Sequence, residues 1–307
     1  MNPTAYRGRF APSPTGALHF GSLLTAVASY LEARTQQGLW LVRMEDLDPP
    51  REIKGAAREI LKTLEQFGFE WDGDVIYQSQ QDSAYQDALQ QLKNKQLTFA
   101  CNCSRKHLNN TASRSSEGII YPGTCRHKID IPPPYTTRII APDQTFHFID
   151  QLQGPQKQNL HHSLGDFIIR RRDQLFAYQL AVVVDDHLQS ITHIVRGSDL
   201  LSSTARQIFL QTMLSYQTPE YTHLPVLTNA EGNKLSKQSH AQALDLTHAN
   251  LHLYRCLTLL VQSPPTELTN ASLHELWQWA FTHWQIKHVP AVAAIDLSQD
   301  TNNTIYY

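Results

Sequence analysis

Two stretches far apart in the sequence carry side chains that suit phosphate chemistry. Residues 9–22 hold His19 behind a loop rich in proline and glycine, and residues 229–237 end in Asn-Lys-Leu-Ser-Lys. From Phe20 onward the apolar residues recur with the spacing of one helix face, so His19 is predicted to stand at a helix N-terminus. Such an end offers unpaired N–H groups and a partial positive charge to a phosphate. The alternative is an ordinary turn between a strand and a helix.

The order of the two stretches resembles a known signature. His-x-Gly followed far downstream by Lys-Leu-Ser-Lys is similar to the paired motifs of class I aminoacyl-tRNA synthetases, and Arg-Phe-Ala-Pro-Ser-Pro-Thr-Gly resembles their glutamyl/glutaminyl branch. In that chemistry, charge develops on the α-phosphate of ATP and on the departing pyrophosphate, where donors from both stretches must converge. The resemblance implies that His19 and Lys237 are catalytic. It also implies a set of ATP-binding residues: Pro12, Ser13, His19, Gly21, Ser22, Lys234, Ser236 and Lys237.

A glutamate pocket can be predicted from charge, because glutamate carries an ammonium and two carboxylates. Glu45 follows the apolar run 39–44, and an acid at the carboxyl end of a parallel strand is well placed for the ammonium. Arg9 and Arg196 end predicted strands, and the planar fork of arginine suits a carboxylate. The alternative for Arg196 is a structural salt bridge with Asp199. The resemblance implies that glutamate is held by Arg9, Phe10, Ala11, Pro12, Ser13, Glu45, Tyr178 and Arg196.

Three cysteines cluster in a polar part of the chain. Cys101, Cys103 and Cys125 predict either a structural zinc knuckle or three reduced thiols without a metal. The sequence around the cysteines does not identify the fourth ligand. Three nearby side chains are candidates: His107, His127 and Tyr121. The resemblance implies Tyr121, since shorter relatives carry Cys-x-Cys…Tyr-x-x-x-Cys as a zinc site. One structural Zn²⁺ per chain is therefore expected.

The composition fits a globular protein. Of 307 residues, 41% are hydrophobic and 18% are charged. No apolar run approaches the roughly 20 residues of a membrane-spanning helix, and the N-terminus lacks the layout of a signal peptide. We therefore expect a cytoplasmic protein with no membrane partner, and Cys256 in its core. Because the net charge is -2, any RNA contact must be a local basic patch. The arginines at 170–172 are either such a patch or a solvated surface run.

Pattern and resemblance together predict an α/β fold: a class I synthetase Rossmann-like parallel sheet with an inserted zinc-bearing subdomain and a short helical C-terminal region. The expected segments are a first catalytic half, an insertion, a second catalytic half with the Lys-Leu-Ser-Lys loop, and a helical end, at 1–98, 99–177, 178–240 and 241–307. No anticodon-binding domain is expected. The polar stretch 151–162 is predicted to be a mobile loop, and 177–186 is a buried run that ends in two acids.

Within this family the chain resembles a smaller group, the glutamyl-queuosine tRNA(Asp) synthetases. The resemblance implies that the protein uses ATP and Mg²⁺ to make glutamyl-adenylate without tRNA, and we expect a monomer. It would then transfer glutamate to the queuosine base of tRNA(Asp). Two positions depart from the family motifs, Ser22 in place of a second histidine and Gln238 after Lys-Leu-Ser-Lys. The alternatives are a truncated glutamyl-tRNA synthetase that charges a tRNA 3′ end, a non-catalytic tRNA-binding paralogue, and an adenylyltransferase of the same fold.

Overall fold

The structure, a computed structural model, describes residues 5–235 and 244–299. The α-helices are α1 (Phe20–Thr35), α2 (Ala56–Gln66), α3 (Asp82–Asn94), α4 (Arg105–Thr111), α5 (Leu160–Ser163), α6 (Tyr178–Leu188), α7 (Thr204–Leu214), α8 (Ala249–Leu259) and α9 (Leu273–His283). Short 3₁₀ helices span Pro49–Arg51, Gln78–Gln80, Ser198–Ser203, Leu246–His248, Thr266–Asn270, Ile286–His288 and Leu297–Gln299.

The strands are β1 (Arg7–Phe10), β2 (Leu39–Met44), β3 (Ile76–Tyr77), β4 (Thr98–Cys101), β5 (Arg114–Ser115), β6 (Gly118–Ile119), β7 (Thr136–Ile139), β8 (Thr145–Asp150), β9 (Gly154–Asn159), β10 (Phe167–Arg170), β11 (His193–Gly197), β12 (Glu220–Leu224), β13 (Val226–Thr228) and β14 (Ala294–Asp296).

The central sheet is parallel and is built from both halves of the chain. β1 pairs with β2 and β2 with β3, while β11 pairs with β12. Arg7 joins the two groups, because its carbonyl accepts the Thr192 N–H at 3.0 Å and its N–H donates to the Thr192 hydroxyl at 2.8 Å. The resulting order β3-β2-β1-β11-β12 is that of a Rossmann-type sheet, as predicted. Such sheets bind ligands at the carboxyl ends of their strands.

Helix α1 covers this sheet with the apolar face that the sequence predicts. Its inward side chains are almost completely buried, and they are Leu23, Leu24, Val27, Ala28 and Leu31. The chain then returns to β2 through Gly38, where a Cβ atom would lie 2.5 Å from the Tyr6 carbonyl oxygen. Only glycine permits this approach, so the connection between α1 and β2 is fixed next to β1. The loop between β1 and α1 is thereby held at the ligand-binding edge.

The predicted insertion, 99–177, contains antiparallel strands. β7 pairs with both β4 and β10, and β8 pairs with β9. The hairpin β8–β9 also reaches the central sheet, since Asp150 at the end of β8 pairs in parallel with Tyr221 of β12. The expectation of a mobile loop at 151–162 is wrong, because this stretch forms β9 and α5. Strand pairing satisfies the backbone of β9 whatever its side chains, so polar composition alone does not exclude a strand.

The buried run at 177–186 is helix α6, and its two terminal acids face the interior. Helices α8 and α9 follow the second half of the sheet and pack beside α1. Trp277 of α9 donates from Nε1 to the Phe67 carbonyl at 2.8 Å, and Trp284 donates to Glu32 at 2.6 Å. A helical C-terminal part is therefore present, with β14 pairing in parallel with β13 at its end. Within the described ranges, no helix has the length and apolar character to cross a membrane.

Candidate active site

A cavity of about 480 Å³ opens at the carboxyl ends of β1, β2 and β11. Its lining includes every predicted ATP-binding and glutamate-binding residue that lies within the described ranges. These are Arg9, Phe10, Ala11, Pro12, Ser13, His19, Gly21, Ser22, Glu45, Tyr178, Arg196 and Lys234. Ser236 and Lys237 lie outside the described residues, as does Gln238. Two loops separated by more than two hundred positions are thus brought to one cavity.

His19 caps the N-terminus of α1 at this cavity. Its Nδ1 accepts the Ser22 N–H at 3.3 Å, and its Nε2 lies 3.0 Å from the Ser22 hydroxyl. With Nδ1 as acceptor, Nε2 carries the proton and donates to Ser22. The serine that replaces the second histidine of the family motif therefore orients the first. A Cβ atom at position 21 would lie 3.2 Å from the imidazole, so Gly21 leaves room for the ring.

Glu45 also lines the cavity, and it lies directly after β2. Its N–H donates to the Pro12 carbonyl at 3.0 Å, which fixes the loop after β1 against the end of β2. Its side chain is 11% exposed, and one of its oxygens lies 3.7 Å from Nη2 of Arg43. Burial raises the pKa of Glu45 to about 7, although Arg43 and Arg9 act in the opposite direction. A carboxylate in this position can accept an ammonium from a ligand.

A buried ion-pair network lies beneath Glu45 and Arg9. Asp186 of α6 accepts from Nε of Arg9 at 3.1 Å and from Nη2 of Arg43 at 2.8 Å. Burial by itself would raise the pKa of Asp186, but the guanidiniums of Arg9 and Arg43 hold it below its usual value. The terminal nitrogens of Arg9 have no hydrogen-bond partner among the described residues, and Arg9 lines the cavity. Arg9 can therefore present two donors to a carboxylate.

The sequence interpretation missed Arg43 and Asp186. Arg43 is completely buried, and it also lies 3.8 Å from Asp185, whose oxygens accept from Tyr85 and Gln78. The available signals were an arginine inside the apolar strand Leu-Trp-Leu-Val-Arg-Met and two adjacent acids in an apolar run. Charged residues in such runs need buried partners, which the sequence alone does not pair.

The alternative of a salt bridge between Arg196 and Asp199 is wrong. Asp199 pairs with Lys234 at 2.6 Å, because the 3₁₀ helix after β11 turns Asp199 toward the loop that contains Lys234. The Arg196 guanidinium instead points between β12 and α7 and is 4% exposed. Its acceptors are Nε2 of His223, Oε1 of Gln207, Oγ1 of Thr204 and the Leu200 carbonyl.

The cysteine cluster has the shape of a metal site. The sulfur atoms of Cys101, Cys103 and Cys125 all lie within 4.8 Å of one another. The Tyr121 hydroxyl lies 3.3 Å from Cys101 Sγ and 4.0 Å from Cys103 Sγ, and it accepts the Cys125 N–H at 2.9 Å. Three thiols and a hydroxyl thus converge on one point, a donor set that fits a tetrahedral zinc ion. Cys256 is buried in the main core, as expected.

The arginines at 170–172 do not form a uniform basic patch. Arg171 pairs with Asp48 at 3.3 Å and with Asp173 at 2.7 Å. Arg170 donates to Gln86 and lies over the Phe176 ring. Arg172 is exposed and forms no ion pair among the described residues. The structure therefore favours the surface interpretation for the first two arginines and leaves the third accessible.

Comparison with known protein families gives a match over most of the chain. The sequence model for tRNA synthetases class I (E and Q), catalytic domain, matches residues 5–260. Glutamyl-Q tRNA(Asp) synthetase of Dechloromonas aromatica is 52% identical over 295 residues, which cover 94% of this chain and 97% of that protein. The protein of the same name from Neisseria meningitidis serogroup B is 52% identical over 291 residues, with 93% and 97% covered.

Solved structures show a similar fold. The crystal structure of glutamate-tRNA synthetase from Elizabethkingia anophelis superposes with a TM-score of 0.78 at 22% identity, over 96% of this chain and 68% of that chain. A glutamate tRNA ligase from Elizabethkingia meningosepticum in complex with its amino acid gives 0.77 at 22% identity, over 96% and 67%. At this identity the likeness concerns the fold.

Proposed function

We infer that this chain, which belongs to the class I tRNA synthetases and within them to the glutamyl-Q tRNA(Asp) synthetase family, activates glutamate with ATP and transfers it to the queuosine of tRNA(Asp). The observation that carries this function is the 52% identity to relatives of that name along nearly the whole chain. Truncated glutamyl-tRNA synthetase, the alternative, has less support, because those relatives are covered over 97% of their length.

The first step forms glutamyl-adenylate. An oxygen of the α-carboxylate of glutamate attacks the α-phosphorus of ATP, and the bond to the β-phosphate oxygen breaks as pyrophosphate leaves. His19 and the N–H groups at the start of α1 would face the phosphates, where they stabilise the developing charge. We propose that Lys234 and Lys237 contribute cations from the second loop. Mg²⁺ bound with ATP would neutralise further phosphate charge.

Glutamate would be oriented by opposite charges along the cavity. We propose that Glu45 receives the ammonium and that the side-chain carboxylate lies between Arg9 and Arg196. Arg9 supplies two terminal nitrogens, whereas Arg196 supplies its charge and one N–H, since most of its donors are used inside the protein. Phe10, Ala11, Pro12, Ser13 and Tyr178 would complete the pocket wall.

In the second step, a hydroxyl of the cyclopentene ring of queuosine attacks the adenylate carbonyl. An ester bond forms, the bond to the phosphate oxygen breaks, and AMP leaves. RNA loops can turn a base outward into a protein pocket, and their phosphates bind arginine. We propose Arg172 as one phosphate contact, because it is exposed and forms no ion pair among the described residues. We also propose that the protein is cytoplasmic, since tRNA and ATP are cytoplasmic. We propose a monomer as its oligomeric state.

The cysteine cluster would hold one structural zinc ion through Cys101, Cys103, Cys125 and Tyr121. The distances among these four side chains support this proposal, and His107 and His127 are outside the cluster. The ion would stabilise the fold of the insertion.

Two assays test the function. Glutamate-dependent pyrophosphate–ATP exchange should occur without RNA, because the predicted adenylate site comes from this chain alone. Labelled glutamate should then enter queuosine-bearing tRNA(Asp) whose 3′ end has been trimmed, and should not enter tRNA(Asp) that lacks queuosine. Exchange only in the presence of tRNA, or loss of transfer on trimming, would instead indicate 3′-end charging.

A further inference from the structure

Two buried residues lie behind Arg196 and have no part in the chemistry described so far. His223 of β12 is opposite Arg196 of β11 in the strand register, and it is completely buried. Asp150, at the end of β8, is 1% exposed. The His223 ring lies between Asp150 and Arg196. Its Nδ1 is 2.6 Å from Oδ2 of Asp150, and its Nε2 is 2.9 Å from Nε of Arg196. A carboxylate, an imidazole and a guanidinium therefore form one line that ends at the cavity.

Asp150 is fixed so that one oxygen faces the ring. Its Oδ1 accepts backbone N–H groups from Leu152 at 3.1 Å, Gln153 at 2.8 Å and His223 at 3.2 Å. Burial alone would raise the pKa of Asp150, but the His223 side chain and these N–H groups hold it below its usual value. The carboxyl group is thus ionised near neutral pH and can only accept hydrogen bonds. Oδ2 therefore needs a proton on Nδ1 of His223.

The other ring nitrogen must then be an acceptor. Of its two neighbours, Arg196 can only donate, whereas the Thr204 hydroxyl at 3.3 Å can donate or accept. A guanidinium has five N–H donors and no acceptor, so Nε of Arg196 fits the lone pair on Nε2. Burial, followed by the charges of Arg196 and Arg9, lowers the pKa of His223 against the opposing effect of Asp150. The imidazole is therefore neutral, with its proton on Nδ1. The opposite tautomer would set two N–H groups against each other at 2.9 Å.

The contacts of the Arg196 guanidinium determine which of its N–H groups can reach a ligand. Nε donates to His223, Nη1 to Gln207, and Nη2 to Thr204 and the Leu200 carbonyl. One hydrogen of Nη1 has no partner within the described part of the chain. Because Nε is held by His223 in addition to the contacts at Nη1 and Nη2, the plane of the guanidinium is fixed, and with it the direction of that hydrogen.

We propose that Asp150 and His223 are positioning residues for Arg196: Asp150 locks His223 in the Nδ1–H tautomer, and His223 thereby holds Arg196 toward the side-chain carboxylate of glutamate. This inference rests on the proposed function for the identity of the carboxylate. The arrangement resembles in logic the acid that orients a catalytic imidazole, except that the oriented group here is an arginine.

Two substitutions of His223 test the roles of its two ring nitrogens separately. In His223→Gln the amide oxygen can take the place of Nε2 and accept from Arg196. In His223→Asn the shorter amide reaches only the place of Nδ1, so Nε of Arg196 loses its acceptor. In glutamate-dependent pyrophosphate–ATP exchange, His223→Asn should raise the KM for glutamate about tenfold or more, the scale of a charged hydrogen bond. His223→Gln should remain within about threefold, and the KM for ATP should change less than about twofold in both.

Asp150→Asn tests the tautomer lock. If the amide oxygen keeps the three backbone N–H groups, the amide nitrogen faces Nδ1 and donates to it. The ring proton then moves to Nε2, opposite Nε of Arg196. We expect the same rise in the KM for glutamate as in His223→Asn. Tyr221→Phe is the matched control, because it removes a buried hydrogen bond to Gln211 from the same strand and keeps the ring beside Arg196.

Equal effects of His223→Asn and His223→Gln would overturn the proposal, and so would an unchanged KM for glutamate in Asp150→Asn. Nitrogen-15 NMR of the His223 ring in the unmodified protein gives a readout that needs no activity. It should show Nδ1 protonated and Nε2 unprotonated, and the opposite result contradicts the lock. If the unmodified protein shows no exchange with glutamate, the proposed function fails, while the NMR result still decides the tautomer.

Discussion

Beneath Arg9 and Glu45, which line the cavity, the charges that neutralise one another come from distant parts of the sequence. Asp186 of α6 accepts from Arg9 of β1 and Arg43 of β2. The cysteine cluster is different, because Cys101, Cys103 and Cys125 come from one short segment and face one another. The first region balances its own charges once the sheet and α6 have assembled, whereas the second gathers three thiols that could hold a metal ion.

This difference indicates how each of the two regions is stabilised. In the cavity, loss of one partner leaves a buried charge uncompensated, and the cost falls on the global fold. In the cluster, the metal would bring together a segment with a small core of its own, so its loss should be local. Substitutions that remove one partner from each region can therefore separate them.

The largest effect is expected for Arg43→Met. This change leaves Asp185 and Asp186 buried, and among the described residues it leaves Arg9 as the cation paired with Asp186. It should lower the free energy of unfolding by about 3–5 kcal/mol. Urea unfolding followed by circular dichroism measures it. Arg51→Met is the control, since Arg51 is 62% exposed and its pair with Asp48 should contribute at most about 1 kcal/mol. If both variants lose the same free energy of unfolding, the buried ion-pair network does not stabilise the fold more than a surface ion pair does.

These residues also show how far sequence reasoning reaches. Helix α1, strand β2 and the residues of the cavity lining follow from local periodicity and from motifs, which are properties of short segments. The distant partners of the buried arginines do not follow, because contacts such as Arg9–Asp186 and Arg196–His223 join residues that only the assembled sheet brings together. The alternative of an Arg196–Asp199 salt bridge failed for this reason. It relied on nearness in sequence, while His223 and Gln207 were nearer in space.

The structure of the β8–β9 hairpin is likewise decided by contacts that the local sequence does not reveal. Its second strand is polar along its length, so composition predicted a loop, but backbone pairing with β8 decides its structure. Asp150 lies at the end of that hairpin and reaches the central sheet. No pattern in the sequence relates it to His223, which is 73 positions away.

An intermediate effect is expected from Cys103→Ser. A protein that binds one zinc ion per chain should lose most of it, because one thiolate ligand is removed. Elemental analysis measures the metal, and limited proteolysis should show new cleavage within 99–177 while the catalytic halves stay protected. Cys256→Ser is the control, since its thiol is buried far from the cluster, and it should keep the metal. Full zinc content in Cys103→Ser would remove this residue from the site.

The smallest effect is expected from a change of pH that titrates Glu45 in the cavity. In the proposed site, Glu45 must be ionised to receive the ammonium of glutamate, and burial raises its pKa to about 7. As the pH falls below that value, the carboxyl group gains a proton and loses its attraction for the ammonium. The kcat/KM for glutamate should therefore fall about tenfold for each pH unit below about 7 and level off above it.

Pyrophosphate–ATP exchange at limiting glutamate measures this profile, with the KM for ATP as the internal reference. Glu45→Gln should have a low kcat/KM and no break in this range, because an amide does not titrate. Since bound ammonium stabilises the ionised form, the break in kcat should lie at lower pH than the break in kcat/KM. A break that persists in Glu45→Gln would assign the titration to another group, and the ammonium would then need a different partner in the cavity.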